Sequence, residues 1–279
     1  MTREQEILFK QKLLNTLSAF AELCNRHKIK YIGAYGTVLG AVRHNGLIPW
    51  DDDIDVCMLR EDYDAFIKLK NKINETQYYI VDDQDEGYYL PYAKFCDRST
   101  TLWEEKRNPF VIGVFIDVFP VDYVDENISK KLSNDYKRTF YYYSKGLEAF
   151  DVKTLFKPKS FAKWIIFKLL IKYNFNKLKK IESDIKSVRG DKCMYYNSSS
   201  YEKAVLPLCL LSETINHKFE ECEIAIPKDF NLYLTILYGD YMTLPPIEER
   251  ITHHYHYFVD LEHRYTIDEC KMIICHVNS

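Results

Sequence analysis

The stretch Trp50 to Val56, WDDDIDV, puts the carboxylates Asp51, Asp52, Asp53 and Asp55 almost side by side. Ile54, Val56 and Met58 alternate with the last of these acids, the pattern of a strand with one buried face. On such a strand Asp53 and Asp55 point to the same side and repel each other. A divalent cation is the simplest remedy, and hard oxygen ligands suit Mg²⁺ or Mn²⁺. Upstream, Gly36-Thr37 is predicted to form a turn directly after a strand over Ile29 to Tyr35. Backbone N–H groups in such a turn can approach a phosphate beside the metal. Thr37 to His44 then fits a short helix whose N-terminus faces the turn, a natural place for an anion. An acidic surface loop after Pro49-Trp50 would also contain three aspartates. It accounts for neither the apolar alternation nor the Gly-Thr turn.

The run GTVLGAVRHNGLIPWDDDIDV, Gly36 to Val56, resembles the LicD family, which includes bacterial phosphocholine transferases and the fukutin-related proteins. The likeness extends as far as about Pro120 and returns around Tyr238 to His254. It implies an α/β fold: a mixed-sheet, polymerase-β-like nucleotidyltransferase core with added helices. In that fold a Gly-Ser turn precedes an Asp-x-Asp on the next strand, and a later strand supplies a third acid. Here Thr37 stands for the serine, and HNGLIPWD lengthens the path to Asp53. The resemblance implies that Asp53, Asp55 and Asp117 are the metal-binding and catalytic set, with Asp117 able to activate an acceptor hydroxyl. The implied reaction is Mg²⁺-dependent transfer of a phospho-alcohol group, first phosphocholine, from a CDP-alcohol donor. The acceptor would be a hydroxyl of a cell-surface glycan or lipid-linked oligosaccharide, with CMP leaving.

GVFIDVFP, Gly113 to Pro120, reads as a strand with Asp117 set among apolar residues. A lone carboxylate there is costly unless it is paired, held by backbone N–H groups or bound to metal. Asp122 is a second, weaker candidate. On a strand through YAKFCDRST, Lys94 and Arg98 share a face; Lys94 needs a counter-charge, which a nucleotide phosphate or a nearby acid would supply. Arg43 lies close enough in sequence to reach phosphates, whereas His44 by itself reads as an ordinary residue. Near the C-terminus, Asp229 and Gly239 bracket a helix. His253, His254 and His256 follow, at spacings that fit no single helical face and with no cysteine close by. In LicD-like tails a block like YGDYMTLPP, followed by Arg250 and His253 or His254, is implied to close over the substrate site. The candidate phosphate- or substrate-binding residues are therefore Gly36, Thr37, Arg43, Lys94, Arg98, His253 and His254.

The remaining chain reads as support. Thr2 to His27 is an amphipathic helix with Ile7, Leu13, Leu14, Leu17, Phe20 and Leu23 on its apolar face. Arg60 to Ile73 is a helix, Gln77 to Val81 and Leu90 to Asp97 are strands, and Asp82 to Gly87 is a solvated acidic turn. Lys130 to Phe150 is helical. Val152 to Ile181 contains no acidic residue, and within it Ser160 to Phe175 is apolar nearly all round with Lys163, Lys168 and Lys172. That segment is either a helix packed on the protein or one lying on an anionic membrane face, with Trp164 at the interface. The expected parts are residues 1–125 as catalytic core, 126–190 as basic helical insertion and 191–279 completing the substrate site. Hydrophobic content of 47% supports a core, and a net charge of −3 argues against nucleic acid as a partner. Eight cysteines without a CxxC pair read as thiols of a cytoplasmic protein, peripheral on the membrane at most. No P-loop is present. Two rival readings remain: nucleotidyl transfer with release of pyrophosphate, and a catalytically idle glycan- or membrane-binding protein.

Overall fold

The computed structural model describes residues 1–88, 90–124, 126–148, 158–186, 190, 192–195, 205–252 and 256–277. The expected α/β fold with a mixed sheet and added helices is the one observed. The chain divides into two compact units. The first comprises Met1–Lys106, Phe110–Pro120 and Cys209–Ser279; the second comprises Arg107–Pro109 and Val121–Leu208. The C-terminal stretch expected to act as one part thus belongs to both.

The first unit opens with helix α1 (Arg3–His27). Thr2 and Gln5 form a reciprocal capping box at its start, and Lys28, in the left-handed region at φ 56°, ends it. Phe9, Leu13, Leu17, Phe20 and Cys24 form its buried face, while Ile7 points to solvent at 64% exposure, unlike the expected pattern. The strand expected over Ile29 to Tyr35 shrinks to β1 (Ile32–Gly33), because α2 (Tyr35–His44) begins earlier than predicted. Strand β2 (Asp55–Leu59) leads into α3 (Arg60–Ile67) and α4 (Lys70–Ile73), so the single helix expected there is interrupted. Strands β3 (Tyr78–Val81), β4 (Ala93–Asp97), β5 (Thr101–Trp103) and the start of β6 (Phe115–Val124) follow. The sheet order in this unit is β1-β2-β6-β4-β3. Ile54, Val56, Cys57 and Met58 are buried, so β2 is covered on both faces rather than one. Gly113 precedes β6 where a Cβ would lie 1.8 Å from the Asp97 carbonyl oxygen, so only glycine fits. The acidic turn after β3 is not simply solvated: Lys70 bonds Asp82 at 2.7 Å and Asp85 at 2.6 Å, and Asp82 is buried.

The second unit contains the end of β6, then α5 (Glu126–Leu147), α6 (Pro158–Leu169), α7 (Ile171–Lys186), β7 (Lys192–Tyr195) and β8 (Val205–Pro207). Val121–Val124 of β6 pairs antiparallel with β7, which pairs with β8. Its core is Val124, Tyr136, Leu178, Ile181 and Ile185. Helix α6 contributes no buried residue. Ile165, Ile166, Leu169, Leu170 and Tyr173 are exposed, Leu169 by 76%. Trp164 is half-buried and its indole donates to the Glu148 carbonyl at 3.4 Å, so it faces its own unit. Among the described residues no helix is long and apolar enough to cross a membrane.

The chain then returns to the first unit with α8 (Cys209–Ser212), the hairpin β9 (Thr214–Phe219) and β10 (Cys222–Pro227), α9 (Phe230–Tyr238), β11 (Phe258–Asp260) and α10 (Ile267–Val277). Strand β11 pairs with β5. Asp229 caps α9 through the Leu232 N–H, and Gly239 ends it at positive φ, as the sequence signals predict. Cys24, Cys57, Cys96 and Cys270 are buried thiols.

Candidate metal and phosphate site

The sheet order places β6 beside β2, and that adjacency builds the site. The Asp117 N–H donates to the Ile54 carbonyl at 3.0 Å, which fixes Asp117 level with the end of the acidic run. Carboxylate oxygens of Asp53, Asp55 and Asp117 lie within 4.8 Å of one another; those of Asp51, Asp52 and Asp53 form a second such group. Asp122 belongs to neither. An octahedral Mg²⁺ holds its oxygens at roughly 2.0–2.1 Å, which sets oxygen pairs about 3 to 4 Å apart. Three hard carboxylates at this spacing fit that ion. Burial drives the Asp55 carboxyl well above the usual carboxylate range. Asp53, Asp117 and Asp51 push it the same way, and only Lys94 pulls it back. That accumulated repulsion is what a bound cation relieves.

Gly36 and Thr37 lie in the first turn of α2, not in a turn before it. The Thr37 hydroxyl accepts the Asp55 N–H at 2.8 Å, tying the helix to the acidic strand. Tyr35 starts the helix in the left-handed region at φ 46° and donates its N–H to the Tyr233 hydroxyl at 3.1 Å. Lys94 finds an acid: its Nζ is 2.8 Å from Asp117 Oδ1 and 3.6 Å from Glu104. Arg98 is not brought to the cluster. It lies four residues beyond Lys94, in the turn after β4. Its guanidinium donates to the Thr76 and Asn74 carbonyls, at 3.2 and 2.7 Å, and lies over the Tyr79 ring. His253 and His254 lie outside the described residues. His256, set aside in favour of them on sequence, comes within 3.8 Å of Asp52 and packs its ring on Phe9.

A cavity of about 840 Å³ opens next to the acids. Gly36, Arg43, Trp50, Asp51, Tyr238 and Tyr241 are among its lining residues. The YGDYMTLPP segment supplies one wall, through Tyr238 to Pro246. The Tyr238 hydroxyl is held protonated by burial and then by the field of Asp55, Asp51 and Asp53, which places it at the junction of cavity and acids. Arg43 donates to the Tyr241 carbonyl at 2.8 Å and to His44 Nε2 at 3.0 Å. His44 is therefore neutral on that nitrogen; burial, then Arg43, lowers its pKa. The Arg250 guanidinium lies over the Trp50 ring, 5.5 Å from its centroid.

The family model described as LicD/FKTN/FKRP, nucleotidyltransferase domain, matches residues 28–155. The lipopolysaccharide cholinephosphotransferase LicD of Haemophilus influenzae is 30% identical over 264 residues, 90% of this chain and 95% of that protein. An uncharacterised protein of Rickettsia typhi is 32% identical over 106 residues, 38% of this chain and 33% of that one. A 41-residue match to an uncharacterised protein of Rickettsia prowazekii is 54% identical and covers 15% of each chain.

Proposed function

Because the chain belongs to the LicD family of phosphotransferases, we propose that it transfers phosphocholine from CDP-choline to a hydroxyl of a cell-surface glycan or its lipid-linked precursor. One observation carries the reading: Asp53, just before β2, Asp55 on β2 and Asp117 on β6 converge beside an aromatic cavity. Asp53, Asp55 and Asp117 would hold Mg²⁺ or Mn²⁺, which when bound neutralises phosphate charge and polarises the reacting phosphorus. The acceptor oxygen attacks the phosphorus that bears choline. The new P–O bond forms as the bond to CMP breaks, and the acceptor proton passes to a carboxylate of the triad. Asp117 is already engaged by Lys94, 2.8 Å from its Oδ1, so its part is to hold charge in place rather than to take that proton. Gly36 and Arg43, which line the cavity wall, would meet the donor phosphates. Choline rather than a neutral alcohol is supported by the lining: Trp50, Tyr238 and Tyr241 offer aromatic faces for a quaternary ammonium.

The test is a metal-dependent assay with a panel of CDP-alcohols. CMP release with CDP-choline preferred supports the proposal; pyrophosphate release from a nucleoside triphosphate would replace it with nucleotidyl transfer. Asp53→Asn or Asp55→Asn should lower turnover by roughly 10²-fold or more, the scale of losing one charge-stabilising contact in a transition state. Near wild-type activity in both variants would defeat the assignment of these carboxylates to the metal.

A lipid-linked acceptor also gives a role to α6. Its exposed Ile165, Ile166 and Leu169, with exposed Lys163 and Lys172 nearby, suit an anionic lipid surface.

A further inference from the structure

Lys94 is a cation already built into the acidic site. Strand register puts it directly opposite Asp117, and its Nζ sits 2.8 Å from Asp117 Oδ1. Lys94 is 2% exposed and Asp117 6%, so neither side chain has a route to solvent that would release the other. The ammonium is held from two further directions. It lies 3.3 Å from the centroid of the Phe115 ring and 3.6 Å from Glu104. A phosphate would have to displace these contacts to use Lys94 as a ligand.

Two-metal phosphoryl-transfer sites hold their ions roughly 3.5–4 Å apart, bridged by a shared carboxylate and each neutralising one side of the reacting phosphorus. In this triad the Asp117 side is already occupied by a fixed positive charge. A second divalent ion bound to Asp117 would stand in contact range of that ammonium, in a buried site where charge repulsion is weakly screened.

Resting on the reading of the triad as a metal site, we propose that Lys94 stands in place of a second divalent ion, so that Asp53, Asp55 and Asp117 hold one ion. Lys94 is then a positioning residue. It acts through Asp117, holding that carboxylate in its orientation, and it fixes a positive charge on the Asp117 side of the reacting phosphate.

Mn²⁺ is the probe, since its spin signal separates a lone ion from a coupled pair. The chain is titrated with Mn²⁺ in the presence of CDP and read by electron paramagnetic resonance. The expected wild-type result is an uncoupled Mn²⁺ signal at every loading. Lys94→Met keeps the length of the side chain without its charge, and should add one further Mn²⁺ per chain with a spin-coupled signal. A spin-coupled pair in the wild-type protein overturns the proposal, and this arm needs no variant to fold. A folded Lys94→Met that binds the same number of ions as wild type, uncoupled, also overturns it. No Mn²⁺ binding by the wild type removes the metal reading beneath it, an outcome distinct from both.

Discussion

Asp55 stands half-buried among Asp51, Asp53 and Asp117, and its folded pKa is raised. A raised carboxyl contributes stability below its unfolded value and loses that contribution as pH rises through the folded one. At neutral pH without metal, the charged Asp55 therefore opposes folding. Asp55→Asn should hold or raise the melting temperature in a metal-free buffer at pH 7.5, and the gain should vanish near pH 4, where the wild-type side chain is already neutral. Melts at the two pH values check this; a clear loss at pH 7.5 would contradict it. Asp117→Asn behaves oppositely, because it strands the buried Lys94 ammonium. Removing one partner of a buried pair costs about 3–5 kcal/mol, so metal-free stability should drop, and Lys94→Met in the same chain should recover part of it. Asp55 and Asp117 stood out in the sequence as acids among apolar strand residues, with the metal role of Asp117 implied by the family resemblance, whereas Asp53 lies just before β2 rather than on it. The partner of Lys94 could not, because it depends on how β4 registers against β6. Arg98, expected on the strand face of Lys94, falls in the turn after β4, where the Asn74 and Thr76 carbonyls hold it.

Helix α6 gives the test at the level of an element. Its run of apolar residues was plain in the sequence, but which of them face solvent depends on α5 and α7, which pack on its other side. Trp164 proves to face inward, while Ile166 and Leu169 face out. Sedimentation with anionic vesicles should carry the protein down at low salt and less so as salt screens the lysines. Ile166→Glu with Leu169→Glu should weaken this more than Lys163→Gln with Lys172→Gln. Failure of the wild type to sediment at low salt would mean that the face serves no lipid. At the acidic end, the Gly-Thr pair was legible as a special spot but not as the first turn of a helix. The signal that moves the boundary is tertiary: Tyr35 reaches Tyr233, and Thr37 reaches the backbone of Asp55. Gly113→Ala would set a methyl against the Asp97 carbonyl and should destabilise the protein by more than 1 kcal/mol, roughly the scale of overpacking a core. A denaturant midpoint equal to wild type would disprove the close approach.

For the molecule as a whole, ligand binding should register as stability. If Mg²⁺ and CDP bind the folded chain alone, saturation near 100-fold over Kd adds about 2.7 kcal/mol. A thermal melt should shift up with both ligands together, and the shift should be lost in Asp53→Asn. The family resemblance implied that the segment from Tyr238 closes over the site, but which of its side chains line the cavity with Asp51 depends on folding, which brings Tyr238 and Tyr241 to one space with it. The same arrangement has a consequence for how the protein is born. The acids emerge early in translation, yet Glu220 must arrive to accept the Leu47 N–H, Tyr233 to accept that of Tyr35, and Tyr241 to take Arg43. At roughly 5–20 residues per second the gap between Asp117 and Tyr241 lasts about 6–25 s. During that interval a nascent chain carries its full acidic cluster without the cavity wall that Tyr238 and Tyr241 supply, so the acids are made well before the pocket they border.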